Sequence, residues 1–174
     1  MANDLWETPQ YIFDWLDEEF NFELDVAASQ ENTKCGLFWS KEFSALDRSW
    51  NLYNVKTGKH AENKCFMNPP YSNPLPWVKK AYEESQKGCT VVCLLPADIS
   101  TKWFHEWVIG KAEIRLVRGR ISFDGNKKGA PKFGSMIAIY GPRIEPKVIS
   151  VKRPDKPRKE AVLNAERKNP CRRL

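Results

Sequence analysis

The chain has 174 residues, a formal net charge of +6, 41% hydrophobic and 12% aromatic residues. That supports one domain with a sizeable core and excludes a largely disordered chain. No apolar run approaches the roughly 18 residues that cross a membrane, and nothing resembles an export signal, so a cytoplasmic protein is expected.

In chain order, Thr8 is placed to cap a first helix, with Pro9 at its first position and Ile12, Phe13, Leu16 and Phe20 at helical spacing. Residues 22–26 alternate like a strand and run into the small residues Ala27, Ala28 and Ser29. Residues 30–64 show no clear period, although Trp39, Phe43, Leu46, Trp50, Leu52 and Tyr53 must pack somewhere; residues 56–64 read as an exposed loop. Cys65-Phe66-Met67 is a short strand stopped by Asn68-Pro69-Pro70-Tyr71, because proline cannot donate to a sheet ladder. Ser72 or Asn73 can cap the next helix, with Pro74 early in it, Trp77, Ala81 and Tyr82 on its apolar face, and Gly88 beyond its end. Residues 89–95 read as a strand buried on both faces, ended by Pro96-Ala97-Asp98. A helix over residues 100–109, a strand over 113–117, a Gly/Lys loop over 124–132 and a last strand over 135–140 follow.

This alternation predicts an α/β fold with a mainly parallel sheet. The last two strands, with no helix between them, are expected to form an antiparallel hairpin at one edge. Residues 1–151 are expected to form the domain, and residues 152–174 a flexible basic tail. Five cysteines, at 35, 65, 89, 93 and 171, form no Cys-x-x-Cys pair. With only His60 and His105 beside them, reduced thiols and no metal site are expected.

The tetrapeptide Asn68-Pro69-Pro70-Tyr71 is the feature that points to chemistry. It follows an apolar strand and precedes a helix, and ligands of open α/β sheets bind beyond the carboxyl ends of the strands. Asn/Asp-Pro-Pro-Tyr after a central strand resembles the catalytic loop of S-adenosylmethionine-dependent amino-methyltransferases. Together with Trp6-x-Thr8-Pro9, Leu24-Asp25-Val26-Ala27-Ala28-Ser29, Glu31-Asn32, Leu95-Pro96, Lys102-Trp103-Phe104-His105 and Gly119-Arg120-Ile121-Ser122-Phe123, it resembles the small phage and prophage DNA N6-adenine methyltransferases of the Dam type. The resemblance spans roughly residues 5–140.

It implies a Rossmann-like methyltransferase fold and transfer of a methyl group to the N6 amino group of a flipped adenine in double-stranded DNA, within a short site such as GATC. It also implies location in a bacterial or phage-infected host cell; the oligomeric state, monomer or weak dimer, is left open by the sequence. The residue chemistry agrees. The lone pair of the adenine amine is delocalised into the ring, and two acceptors on its N–H groups favour a tetrahedral nitrogen. Asn68 offers a side-chain carbonyl and Pro69 a main-chain one, Pro70 helps to fix their direction, and Tyr71 can stack on the base. No metal is implied.

For the cofactor, the sequence lacks a Gly-x-Gly-x-x-Gly loop. Its place is taken by Asp25, whose carboxylate can meet the cationic methionine end, with Ala27 and Ala28 allowing close approach. By resemblance Trp6, Thr8, Pro9 and Asn68 join this site, and Asp47 is a candidate for the adenosine half. Each has a plain structural alternative: a strand-end or surface charge for Asp25 and Asp47, a helix start for Thr8-Pro9, core packing for Trp6.

The charge is unevenly placed. Residues 152–174 supply the whole net of +6, so residues 1–151 sum to zero. Residues 1–33 hold nine acids and no Lys or Arg, whereas residues 102–132 hold eight basic residues and three acids. Arg115, Arg118, Arg120, Lys127, Lys128 and Lys132 are therefore the candidate phosphate contacts. Phe123 and Phe133 are either core or wedges at a base step. The alternatives kept open are a protein-glutamine or RNA amino-methyltransferase, and a catalytically inactive DNA-binding module.

Overall fold

The computed structural model describes residues 4, 6–40, 44–54, 59–60, 63–123 and 131–157. Of the expected tail only residues 152–157 fall in this set, and of the 124–132 loop only 131 and 132, so that Lys127 and Lys128 lie outside the described residues.

The elements are α1 (Gln10–Phe20), β1 (Leu24–Asp25), β2 (Leu37–Phe38), a 3-10 turn (Ala45–Asp47), β3 (Tyr53–Asn54), β4 (Lys59–His60), β5 (Lys64–Met67), α2 (Leu75–Ser85), β6 (Thr90–Pro96), α3 (Lys102–Trp107), β7 (Glu113–Arg118), β8 (Ser135–Tyr140) and β9 (Lys147–Lys152). Seven strands form one sheet in the order β2-β1-β5-β6-β8-β7-β9, and β3 and β4 pair separately. The β2·β1, β1·β5, β5·β6 and β7·β9 pairs are parallel; only β8 runs against its two neighbours. This is the mixed, mainly parallel α/β sheet expected from the alternation.

Alternation along the central strands builds three layers. Cys65 and Met67 of β5, with Val91, Cys93 and Leu95 of β6, face a cluster containing Val78 and Ala81 of α2 and Trp103 and Phe104 of α3. Phe66, Val92 and Leu94 face the other way, onto Ile12, Phe13, Leu16 and Phe20 of α1. Trp77 and Tyr82 pack at the margin of the first cluster. The free thiols of Cys65, Cys89 and Cys93 are buried in it.

Three local expectations need correction. Thr8 does not cap α1: Pro9 occupies that position with no side-chain cap, its carbonyl receiving the Ile12 and Phe13 N–H groups at 3.0 and 3.2 Å. Neither Ser72 nor Asn73 caps α2, which follows Pro74. The Ser72 hydroxyl instead donates to Asp4. Third, residues 135–140 are not the last strand. The antiparallel pair exists, but β9 lies outside β7, and β8 sits between β6 and β7 with all six residues buried. The run Ser-Met-Ile-Ala-Ile-Tyr suits burial on both faces, whereas β9, largely exposed and flanked by Lys147 and Lys152, suits a margin where lysines discourage further pairing. Gly88 does follow α2, with φ +103°.

What positions the site is a change of direction. From β1 the chain moves one place outward to β2; after β4 it returns to the other side of β1 as β5. The loops leaving β1 and β5 therefore diverge, and they leave a crevice at the carboxyl ends of these two paired strands.

Candidate active site

Both flanks of that crevice carry residues singled out in the sequence. Asp25 ends β1 beside Phe66 of β5, and Asn68 follows the end of β5. A cavity of about 140 Å³ opens there, lined by Trp6, Thr8, Asp25, Ala27 and residues 68–71, together with Asp4, Glu7, Asn32, Lys34 and Phe66. Pro9, Ala28 and Asp47 do not line it. Pro9 is taken up by the start of α1, Ala28 donates its N–H to the Trp39 carbonyl at 3.2 Å, and Asp47 is exposed on the 3-10 turn.

Asp25 is 3% exposed. Its carboxylate accepts the Ala27 and Lys34 N–H groups, each at 3.3 Å. Burial still wins: it pushes the carboxyl up to about 6, against those two bonds and the Lys34 charge.

Asn68 is held in one orientation. Its Nδ2 donates to the Trp6 main-chain carbonyl at 3.0 Å, and that carbonyl can only accept. The Asn68 Oδ1 is consequently turned away, and it is buried without a hydrogen-bond partner. Tyr71 donates its hydroxyl to the Leu94 carbonyl at 3.3 Å, and burial pushes its phenol well above the ordinary range, so it stays protonated. Its ring meets Trp6 edge to face, with centroids 5.7 Å apart. Trp6 also stacks on Phe123 at 5.6 Å and 12°, and Phe133 lies 5.0 Å away. Phe123 is thus core, as one of its two readings had it, while Phe133 stays partly exposed.

Beyond this aromatic group is a second cavity of about 570 Å³, whose walls include Trp6, Tyr71, Pro96, Asp98, Trp103 and Phe133. Trp6 and Tyr71 line both cavities and form the wall between them. Two further polar atoms, Nε1 of Trp6 in this wall and Oγ1 of Thr8 in the lining of the smaller cavity, are also buried without partners.

The candidate phosphate contacts separate into groups. Arg115 is already taken: its two terminal nitrogens meet both carboxylate oxygens of Glu19 at 2.6 Å, and its Nε meets Glu113 at 2.6 Å. That corrects its assignment, since a fork engaged by two carboxylates has little left for a phosphate. Arg118, Arg120 and Lys132 are exposed. The register aligns Arg118 of β7 with Lys152 of β9, and the next residues are Gly119 and Arg153. Gly119, at φ +91°, has Arg153 Nε 3.1 Å from where a Cβ would stand, so Arg153 lies across it. β7 and β9 run parallel to β5 and β6, so these cations emerge on the same sheet edge as Asn68.

Sequence reading missed Asp4, Glu7 and Lys34 at the cavity, and Arg153 at the basic edge. The available signal for the first two was the acid-only stretch of residues 1–33.

Two comparisons bear on this arrangement. The model of the DNA N-6-adenine-methyltransferase (Dam) family matches residues 1–163. The chain is 41% identical over 130 residues to the DNA N-6-adenine-methyltransferase of Haemophilus phage HP1 (strain HP1c1), covering 72% of this chain and 69% of that one. It is 39% identical over 141 residues to the DNA N-6-adenine-methyltransferase of Escherichia phage T1, covering 80% of this chain and 56% of that one. With a family match over nearly its whole length, the chain belongs to the DNA N-6-adenine-methyltransferase (Dam) family.

Proposed function

We propose that the protein transfers a methyl group from S-adenosylmethionine to the N6 amino group of adenine in double-stranded DNA. The observation that carries this reading is the Asn68 carboxamide: one end is tied to the Trp6 carbonyl, and the other is a buried acceptor with no partner. A buried acceptor without a donor costs about 1–3 kcal/mol, and a substrate amine that arrives in the crevice relieves that cost.

The smaller cavity has the character that this cofactor requires. Asp4, Glu7 and Asp25 bring three carboxylates against the one cation Lys34, which suits a ligand carrying an ammonium and a sulfonium. Bound there, S-adenosylmethionine supplies an electrophilic methyl group. Asp25 holds the ammonium end, Ala27 leaves room for close approach, and the Thr8 hydroxyl has a hydrogen bond to give.

The larger cavity takes the adenine. A base must leave the duplex to reach it, at a cost of a few kcal/mol, and the faces of Tyr71 and Trp103 offer stacking in return. The amine then has to reach past the Trp6–Tyr71 wall to the smaller cavity, where Asn68 Oδ1 and the Pro69 carbonyl are its two acceptors. The DNA backbone lies along the basic edge at Arg118, Arg120 and Lys132, with Lys127 and Lys128 as further contacts. A short site such as GATC is the proposed target.

Asn68→Ala is expected to lower methyl transfer about 100-fold or more, the scale set by removing one preorganised group, while cofactor affinity changes little. Labelled methyl incorporation into unmethylated DNA measures this. Label that survives DNase but not protease or RNase points to another substrate, and near-normal turnover by the variant overturns the role of Asn68. Sequencing of methylated bases in DNA from cells expressing the chain reads out the site.

A further inference from the structure

The tetrapeptide is tied down at both ends by one short segment of the N-terminus. At its front end, Asn68 Nδ2 donates to the Trp6 carbonyl at 3.0 Å. Immediately after its last residue, the Ser72 N–H donates to Asp4 Oδ1 at 3.0 Å and the Ser72 hydroxyl donates to Asp4 Oδ2 at 2.6 Å. Between the two ties the Trp6 ring rests against Tyr71. The tied partners are more than 60 residues apart in sequence, so no local turn imposes this arrangement.

We propose that Asp4 is a positioning residue: together with the Trp6 carbonyl it clasps residues 68–72 from the N-terminal side, and so sets which end of the Asn68 carboxamide faces the substrate. The inference rests on the reading of Asn68 as the acceptor for a substrate amine. A carboxamide turned by half a revolution exchanges its oxygen and its NH2. In the turned state two carbonyl oxygens, of Asn68 and Trp6, face each other, and the NH2 is presented to an amine that is itself a donor. The Trp6 carbonyl forbids that state, provided that it stays where it is. Asp4 anchors the chain two residues before Trp6, and its two carboxylate oxygens meet the only two donors that Ser72 has. The same clasp explains why Ser72 does not cap α2.

Asp4 also lines the smaller cavity, so its charge has to be separated from its grip. Asparagine does this. In Asp4→Asn the Oδ1 can still accept the Ser72 N–H, while Nδ2 donates to a Ser72 hydroxyl that reverses its role. Asp4→Ala loses both bonds, and Ser72→Ala loses one.

The test uses the full chain with two readouts. In hydrogen exchange, residues 68–74 offer amides only at Asn68, Tyr71, Ser72 and Asn73, because 69, 70 and 74 are prolines. Asp4→Ala should speed exchange in this peptide, and Asp4→Asn should not. In turnover, Asp4→Ala should lower kcat about tenfold and Ser72→Ala about threefold, with cofactor Kd within about threefold of the parent, as expected for misplacement of a reacting group. The double variant should be no slower than Asp4→Ala, and Asp4→Asn should recover most of the kcat that Asp4→Ala loses, its lost charge being read separately in cofactor Kd. Parent-like exchange and kcat in Asp4→Ala overturn the proposal. So does Asp4→Asn failing as badly as Asp4→Ala, which makes Asp4 a charge for the cofactor. Ser72→Ala changes one exposed hydroxyl and keeps the turnover test open if Asp4→Ala does not fold. If the parent chain transfers no methyl group to DNA, the functional reading fails, and the exchange comparison still decides the clasp.

Discussion

Replacing Asp25 by asparagine should perturb the proposed cofactor site and the stability of the fold together, with opposite signs. The Asp25 carboxyl is almost fully buried, and burial raises it from 3.8 to about 6. A group with a raised pKa binds more protons in the folded than in the unfolded state between those two values. Asp25 therefore costs stability as pH rises from about 4 to about 6, and the cost stays constant above that. Two pKa units amount to about 3 kcal/mol. Asparagine removes this penalty but can accept with only one end, so either the Ala27 or the Lys34 N–H loses its partner, at about 1 kcal/mol. Asp25→Asn should thus be about 2 kcal/mol more stable than the parent at pH 8, or roughly 4–8 °C in Tm for a chain of this size. Near pH 4, where the penalty is gone and only the lost hydrogen bond remains, the variant should be about 1 kcal/mol less stable than the parent. Glu84 and Glu113, held below their ordinary range by their lysine and arginine partners in spite of burial, change stability in the opposite direction, so the comparison is between variant and parent at each pH. Cofactor binding should move the other way. If the ionised carboxylate holds the ammonium, parent affinity falls about tenfold between pH 7 and pH 5, as a group with a pKa near 6 takes up its proton. Asp25→Asn binds weakly and shows no such slope. Calorimetric titration with S-adenosylmethionine and thermal melts at pH 4, 6 and 8 measure both. A parent Kd that is flat from pH 7 to 5, or a variant that gains nothing at pH 8 over pH 4, refutes the assignment.

Two more expectations follow from the ion pairs and the basic edge. Arg115→Ala should lose about 1–3 kcal/mol of stability, because its hydrogen-bonded carboxylate partners Glu19 and Glu113 are left without it, yet change DNA affinity less than about twofold. Arg118→Ala and Arg120→Ala should do the reverse, each reducing the salt dependence of DNA binding by about one phosphate contact; equal DNA effects from all three variants would contradict the assignment. Glu84 is fully buried on α2, where it pairs with Lys80 and Lys87 and accepts the Trp50 N–H at 2.9 Å. Glu84→Ala leaves that N–H and part of the Lys80 charge uncompensated and should cost about 3–5 kcal/mol in denaturant melts; a loss below about 1 kcal/mol would show that the 49–51 segment is held by other contacts.

The features legible in the sequence are those governed by near neighbours. The spacing of Ile12, Phe13, Leu16 and Phe20 is a property of one helix, and the prolines after Met67 end a strand wherever it lies. The unbroken apolar run of β6 announced burial on both faces, whereas the equally apolar run of β8 was placed at an edge because β9 beyond it went unread. β2 is two residues, too short for a period to show, while β1, equally short, falls within the alternating residues 22–26. β9 is exposed and charged at both ends, so it lacks the apolar signature and is held by pairing with β7. The Asn-Pro-Pro-Tyr loop was readable as a site because its place after a strand is local information. Asp4 was not, because its partner Ser72 is 68 positions away, nor was the engagement of Arg115 by Glu19, 96 positions away. A sequence displays a charge, and only the fold displays what neutralises it.

That distinction changes how the charge of this chain works. Its body sums to zero, but the two signs gather at opposite ends of one sheet edge. Asp4, Glu7 and Asp25 line the cavity at the ends of β1 and β5, and Arg118, Arg120 and Arg153 stand at β7 and β9. Four strand spacings separate β1 from β7, or about 19 Å. That is more than two screening lengths at physiological salt, where the Debye length is about 8 Å, so the two fields do not cancel each other. A polyanion approaching this edge is drawn to the β7 end and kept off the carboxylates, whereas a small cation is drawn to the β1 end. The Asn68 loop, on β5, and the Trp6–Tyr71 wall lie between the two. On the proposed reading, a neutral body of this kind sorts a cationic cofactor and an anionic duplex to the two sides of Asn68.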